Sequence, residues 1–156
     1  MPLLLAKEKD WNEIPKIIAA VDPKHARHKP SGLDHKILDT AIDLSNILLG
    51  EIYALHAYGS SLLTESQREA NRKEHEIAFS DLMEDFDVES DRQVLMEEAP
   101  EFALHKLEDE LTSDLVVMGA VSRNILSEVF IGNTTERVLD YLSSDILVLK
   151  PESFIF

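Results

Sequence analysis

The chain contains 156 residues, of which 44% are hydrophobic, and it carries a formal net charge of −15 at pH 7. This length suits one domain with a substantial core, and no apolar run approaches the ~20 residues of a membrane-spanning helix. The negative charge opposes non-specific binding to nucleic acid and attraction to anionic membranes, so neither partner is expected. The absence of cysteine excludes disulfides and thiolate metal sites and fits a reducing compartment, which predicts a cytoplasmic location.

Apolar runs and helical patterns alternate along the chain from Ile14 onward. Short apolar runs predict buried strands, whereas apolar residues at helical spacing predict amphipathic helices. A short apolar stretch at residues 2–7 precedes this series. The intervening segments predict helices that begin near residues 33, 65, 100 and 134. We predict five strands, counted from one to five, at residues 14–21, 51–57, 91–97, 115–118 and 146–149.

Local signals indicate where several of these elements begin and end. Ser31 and Asp34 have the spacing of a capping box and predict the start of the first helix. Gly50 predicts its C-terminal cap, and Pro100 suits the first position of the third helix. The third strand is the least apolar of the five, which is typical of the edge of a sheet.

Repeated strand–helix units with right-handed crossovers predict an α/β fold, a doubly wound five-stranded parallel sheet with helices on both faces. Ligands in such sheets bind at the carboxyl ends of the strands. Asp22 follows strand one, and Gly119 follows the apolar run of strand four. A strand that ends in glycine, followed by a helix start at residues 132–134 (Gly-Asn-Thr), is a place where the backbone can approach an anion.

The segment from strand four to strand five resembles a family signature. The universal stress proteins carry Met-Gly-x-x-Gly, nine residues and then Gly-Ser/Thr, and Met118, Gly119 and Gly132 match this pattern. The remaining positions hold Ser122 and Asn133. The amino-acid sequence of the segment is most similar to that of the E-type tandem members. The resemblance implies the strand order 3-2-1-4-5 of the adenine-nucleotide alpha-hydrolase-like fold and a non-catalytic regulator of the stress response.

The same resemblance implies a nucleotide site between strands one and four. The implied cofactor is ATP or another adenine nucleotide, with Mg²⁺ when bound. Asp22 would contact the nucleoside, although an aspartate before proline is also a good turn residue. Asn133 and Thr134 would donate hydrogen bonds to phosphate; the alternative is that either residue serves only as a helix cap. The implied binding residues are Asp22, Met118, Gly119, Ser122, Gly132, Asn133 and Thr134.

Two residues in this loop differ from the signature and leave more than one ligand compatible with the sequence. Ser122 stands where the signature has glycine, and Ile125 stands where E-type relatives often have another. A side chain at such a position adds bulk where phosphate should approach. The alternatives are an interaction or dimerisation scaffold with a degenerate pocket, and a pocket that holds an apolar or lipid-like molecule between its aliphatic walls.

The first residues of the chain resemble its last strand. PLLLAKE near the start is similar to DILVLKPE near the end, so residues 1–10 are interpreted as an arm that carries the last strand of a preceding domain. Residues 11–156 are then the second domain of a tandem protein. Such an arm should join the exposed sheet edge or pair across a dimer, because an unpaired apolar edge is unfavourable. The expected partner is a second copy or another domain at the strand-five edge.

Six histidines raise the question of a metal site. His25, His28 and His35 are near one another in sequence, but no metalloprotease motif is present, so no metal is expected. His56 ends strand two and is either a ligand contact or a packed residue, while His75 and His105 are interpreted as surface residues. No Walker A pattern and no nucleophile elbow occurs, so we predict that the domain is not an enzyme.

Overall fold

The computed structural model describes residues 2–24, 32–60, 62–119 and 142–150. Its strands and helices alternate as the sequence predicted, and the predicted helix that begins near residue 134 lies mostly outside the described residues. In chain order the elements are β1 (Leu3–Leu5), β2 (Lys16–Val21), α1 (Leu33–Leu48), β3 (Glu51–Tyr58), α2 (Glu65–Met83), a 3-10 helix (Ser90–Arg92), β4 (Gln93–Glu97), α3 (Pro100–Leu111), β5 (Leu115–Gly119) and β6 (Asp145–Leu149).

The strands form one sheet in the order β1-β6-β5-β2-β3-β4. Strands β2 to β6 pair in parallel, so the predicted order 3-2-1-4-5 is confirmed when the strands are counted from β2. The weakly apolar β4 lies at one edge, as predicted. Strand β1 extends the other edge and pairs antiparallel with β6, with Leu3 opposite Val148 and Leu5 opposite Ile146.

Both faces of the sheet are covered by helices, which confirms the predicted doubly wound arrangement. Ile17 and Ala19 of β2 pack in one buried cluster with residues of α1 and α2. The intervening Ile18 packs in the other cluster with Leu104 and Leu107 of α3. This division follows from the strand period of two, which directs successive side chains to opposite faces.

The predicted caps at both ends of α1 are wrong. The helix begins after Gly32, which has a φ of 92° and provides no side-chain cap, so Asp34 is not part of a capping box. At the other end Leu49 adopts the left-handed conformation (φ 55°), not Gly50. Glycine is required at position 50 for another reason, because a Cβ there would lie 2.5 Å from the carbonyl oxygen of Pro15.

The N-terminal arm is bonded to the start of β6. The Lys7 backbone N–H donates to Oδ1 of Asp145 (2.7 Å), and the Trp11 indole donates to Oδ2 of the same carboxylate (2.9 Å). Lys9 Nζ donates to the Ser113 carbonyl (2.9 Å). Since β1 also pairs with β6, the predicted partner edge is already occupied by the chain's own first strand. A partner at this edge would therefore pair with β1 or displace it.

None of the helices in the described part of the chain combines the length and the apolar character needed to cross a membrane.

Candidate functional site

The carboxyl ends of β2 and β5 lie side by side in the middle of the sheet. The two strands pair in parallel, with Ile17 opposite Leu115 and Ala19 opposite Val117. Continuing this register takes both strands to the same edge, where Asp22 follows β2 and Gly119 ends β5. The chain order reverses between these strands, and such a switch point opens a crevice in doubly wound sheets.

Asp22 is held against the first turn of α1. Its backbone N–H donates to Oδ1 of Asp34 (3.1 Å), and Asp34 is only 7% exposed. The side chain of Asp22 is half-buried, and its own Oδ1 is buried. The start of α1, which carries the positive end of the helix dipole, therefore lies beside the crevice.

Gly119 has a packing role that the sequence did not reveal. A Cβ at this position would lie 2.8 Å from Cδ2 of Leu33 and 3.4 Å from Cδ1 of Ile37, both on α1. The missing side chain lets the first turn of α1 approach the end of β5. Met118 differs, because its side chain is 5% exposed and packs with the α3 cluster, so only its backbone reaches the crevice edge.

The structure brings together three of the seven predicted binding residues at this edge, Asp22, Met118 and Gly119. The other four, Ser122, Gly132, Asn133 and Thr134, lie outside the described residues, as does Ile125. Their proposed contacts with phosphate stay predictions. Leu33 and Asp34 were missed as neighbours of the crevice, because their spacing suggested only the start of a helix.

His56 is a packed residue at the edge of the crevice. It is fully buried, and its Nδ1 lies 3.2 Å from the carbonyl oxygen of Val21, the residue before Asp22. Its Nε2 lies 2.8 Å from Nδ1 of His75 on α2. The prediction that His75 is a surface residue is wrong, since it is 6% exposed. The signal was present, because His75 lies four positions before the buried Phe79.

A polar network closes the neighbouring ends of β3 and β4. Glu97 accepts hydrogen bonds from Ser60 Oγ (2.6 Å), from Arg68 Nε (3.0 Å) and from the Tyr58 hydroxyl (3.5 Å). The hydrogen bonds from Ser60 and Arg68 lower the pKa of Glu97 below its usual value. Burial, with the negative charge of Glu97, raises the pKa of Tyr58. The network therefore keeps an anion and a neutral phenol at pH 7.

The described residues contain no cluster of three or more side chains able to hold a metal ion. His105 is exposed, as predicted, and His35 is an exposed residue that lies 3.0 Å from Oδ2 of Asp85. His25 and His28 lie outside the described residues.

Comparison with known proteins identifies the family. The profile of the Universal stress protein family matches residues 14–150. The Universal stress protein E homolog of Haemophilus influenzae is 26% identical over 162 residues, which cover 97% of this chain and 52% of that protein. Universal stress protein E of Photorhabdus laumondii is 27% identical, and the match again covers 52% of that protein.

Solved structures agree with the fold. A functionally unknown protein from Pseudomonas aeruginosa superposes with a TM-score of 0.82 at 27% identity, covering 98% of this chain and 53% of that one. The chain thus spans about half the length of the curated relatives it matches, which is consistent with the second domain of a tandem protein. Because the family profile covers nearly all of its residues, the chain belongs to the universal stress protein family.

Proposed function

We propose that this domain is a non-catalytic regulator that binds an adenine nucleotide at the carboxyl ends of β2 and β5. The observation that supports the proposal is the adjacency of Asp22, Gly119 and the first turn of α1. A carboxylate can accept hydrogen bonds from ribose hydroxyls, and a helix start favours negatively charged groups. A universal stress protein with 21% identity and a TM-score of 0.52 was solved in complex with cAMP.

The phosphate end of the site is proposed from the sequence. Gly132 would let phosphate approach the backbone, and Thr134 would donate its hydroxyl. Mg²⁺ would arrive with ATP and neutralise part of the phosphate charge. The proposal places the domain in the cytoplasm, where adenine nucleotides are available, and assigns no turnover to it.

Calorimetric titration of the purified domain with Mg-ATP, ADP, AMP and cAMP tests this proposal. We expect a dissociation constant in the micromolar range, roughly −8 kcal/mol. Asp22→Asn should weaken all four ligands by about tenfold, because an uncharged acceptor replaces the carboxylate. Asp39→Asn, an exposed change on α1, should leave the affinities unchanged. Absence of binding at millimolar nucleotide would reject the proposal.

A second candidate is an assembly surface at β1, favoured by the position of that strand. β1 forms the outer edge of the sheet beside β6, and Leu3 and Leu4 are 46% and 57% exposed. An apolar edge strand offers unpaired backbone groups to another strand. A second copy, or another domain of a longer protein, would extend the sheet there.

Light scattering after size-exclusion chromatography tests self-association through β1. We expect a concentration-dependent dimer for the parent and a monomer for Leu4→Lys, because a charge on an edge strand opposes pairing. Leu62→Lys provides the matched control, since Leu62 is 96% exposed and lies outside the strands. A parent that stays monomeric at all concentrations would reject self-association.

A further inference from the structure

Two buried histidines connect α2 with the end of β2. His56 is fully buried on β3 and His75 is 6% exposed on α2, with 5.0 Å between their ring centroids. His56 contacts the Val21 carbonyl through Nδ1 (3.2 Å) and His75 through Nε2 (2.8 Å). Nothing in the proposed nucleotide site uses these imidazoles as ligands, so their pairing calls for a separate explanation.

The hydrogen bonds limit how many protons the pair can hold. A carbonyl oxygen only accepts, so Nδ1 of His56 must carry a hydrogen. A single hydrogen then lies between Nε2 of His56 and Nδ1 of His75, because two N–H groups cannot face each other at 2.8 Å. Two neutral imidazoles satisfy this arrangement, and so does a pair with one added proton. A pair with two added protons does not.

We propose that His56 and His75 form a positioning pair that holds α2 and the end of β2 in place and opens when both imidazoles are protonated. In the closed state the pair joins β3, α2 and the Val21 carbonyl next to Asp22. With the second proton, an N–H of one ring faces an N–H of the other, and two positive charges are buried close together. Both effects are unfavourable and end the contact between His75 and His56.

The part of α2 that would move is its first half. The buried residues of this helix are His75, Phe79, Leu82 and Met83, so His75 is the one nearest the helix start. Glu74, next to it, pairs with Lys24 in the segment after Asp22 (3.1 Å). Opening at His75 therefore loosens the first half of α2 and its connection to the chain beside the crevice, while Phe79 keeps the second half packed.

Charged and titratable groups surround the pair on each element packed against it. Tyr58 of β3 stacks on His75 with a 4.2 Å centroid distance, and its hydroxyl reaches Glu97 of β4. Arg72 and Glu76 of α2 form an ion pair (3.4 Å) near Tyr58. Within the described part of the chain, the further groups in the neighbourhood are Asp22 and Lys24 after β2 and Glu74 and Arg68 on α2. Tyr58 stays neutral in acid, so the histidines are the groups that change between pH 7 and pH 5.

Hydrogen exchange of the ligand-free domain at pH 7.0, 6.0, 5.5 and 5.0 tests the pair. Separated histidines with an ordinary pKa near 6.5 take up two protons in acid, whereas the closed pair takes up one at most. Protection of the amides at residues 69–76 should therefore fall by at least about tenfold per pH unit below pH 6, after correction for intrinsic exchange. Protection in α3 should not change over this range.

His75→Gln removes one of the two imidazoles. Its side-chain amide can donate an N–H to neutral His56 or accept from protonated His56, so α2 protection in this variant should be independent of pH. His105→Gln, at an exposed position, should behave like the parent. Equal acid sensitivity in His75→Gln and the parent would overturn the proposal. If His75→Gln does not fold, nitrogen NMR of the parent imidazoles decides the question. Two fully protonated rings with α2 protection intact would also overturn it.

The consequence for ligand binding rests on the proposed function. The parent should bind ATP more weakly at pH 5.5 than at pH 7, and His75→Gln should lose this difference. Hydrogen exchange needs no ligand, so a domain that binds no nucleotide would reject the proposed function and leave the test of the histidine pair intact.

Discussion

The two ends of the sheet use buried polar groups in different ways. At the amino end, three carboxylates accept hydrogen bonds from backbone N–H groups of neighbouring segments. Glu108 accepts from Ser143 and Ser144 (3.0 and 2.7 Å). Asp114 accepts from Asn12 and Lys16 (2.9 and 2.8 Å), and Asp145 accepts from Lys7 (2.7 Å). These contacts join β5, β6, α3 and the N-terminal arm.

At the carboxyl end, the polar groups meet through side chains that titrate or that leave room for close packing. His56 and His75 share a hydrogen bond, Asp34 accepts from the backbone of Asp22, and Gly119 is in contact with α1. The amino end therefore has three carboxylates with backbone donors, whereas the carboxyl end has one, Asp34, beside a histidine pair and a close glycine contact. A site that responds to a ligand or to pH belongs at the second of these ends.

Removing Glu108 should produce the largest effect. Glu108→Ala leaves the N–H groups of Ser143 and Ser144 without the carboxylate, and the Ser143 hydroxyl loses the same acceptor (3.0 Å). We expect a loss of roughly 3 kcal/mol in the free energy of unfolding, since hydrogen bonds to charged groups are worth ~1.5–3 kcal/mol each. Urea unfolding measures the change. Glu110→Ala, exposed on the same helix, should stay within about 0.5 kcal/mol of the parent.

The pH dependence of Glu108 has a definite sign. Burial raises its pKa, but the hydrogen bonds from Ser143 and Ser144 outweigh this and lower it below the ordinary 4.5. Because the pKa of Glu108 is lower in the folded state than in the unfolded state, its ionised form stabilises the fold at pH values above the unfolded-state pKa. This contribution is lost as the pH falls through the folded-state pKa. The difference between parent and Glu108→Gln should therefore shrink below pH 4.5. A constant difference down to pH 3 would contradict the assigned hydrogen bonds.

Gly119→Ala tests the close packing at the carboxyl end. The new methyl group would lie 2.8 Å from Cδ2 of Leu33, which is the end of a side chain and can shift partly. We expect a destabilisation of about 1–2 kcal/mol, as for other overpacked positions. In a double-mutant cycle, Leu33→Ala should remove most of this cost, because the opposing methyl group is then absent. Gly59→Ala, with nothing within 4 Å of its Cβ, is the control and should have little effect.

The sequence predicted the elements because these depend on periodicity, whereas the order of the strands in the sheet was implied by the resemblance to the universal stress proteins. Buried strands of four to eight apolar residues and the spacing of α1 and α3 determine the α/β class without knowledge of contacts. The neighbouring positions of Asp22 and Gly119 then follow from the strand order that the resemblance implies. The detailed reasons for single residues did not follow, because they depend on distant segments. Gly50 was interpreted as a helix cap, yet its Cβ position is blocked by Pro15.

His75 shows the same limit at the candidate site. The first half of α2 is so polar that a histidine there suggested a surface position. Its spacing from Phe79 indicates the buried face of the helix, but its partner lies on β3, 19 residues earlier in the chain, and no local pattern reveals that pairing. Asp34 is a similar case, since the acceptor for the Asp22 N–H was interpreted as part of a cap. Residues that join two elements are therefore the ones that sequence patterns miss.

Leu49→Gly should give the smallest effect, and it should be stabilising. Leu49 has a φ of 55° and is 82% exposed, so its side chain contributes little packing while its backbone adopts a region that favours glycine. We expect a gain of about 0.5–1 kcal/mol in the free energy of unfolding, because relief of ~1–2 kcal/mol of left-handed strain outweighs the ~0.5–1 kcal/mol entropy cost of glycine. Ile47→Gly is the matched control, because Ile47 is 74% exposed but lies inside α1, where glycine costs about 0.5–1 kcal/mol. If Leu49→Gly raises the free energy of unfolding and Ile47→Gly lowers it, the helix end lies at Leu49. If both variants lower the free energy of unfolding, the exposed Leu49 side chain contributes packing that outweighs its backbone strain.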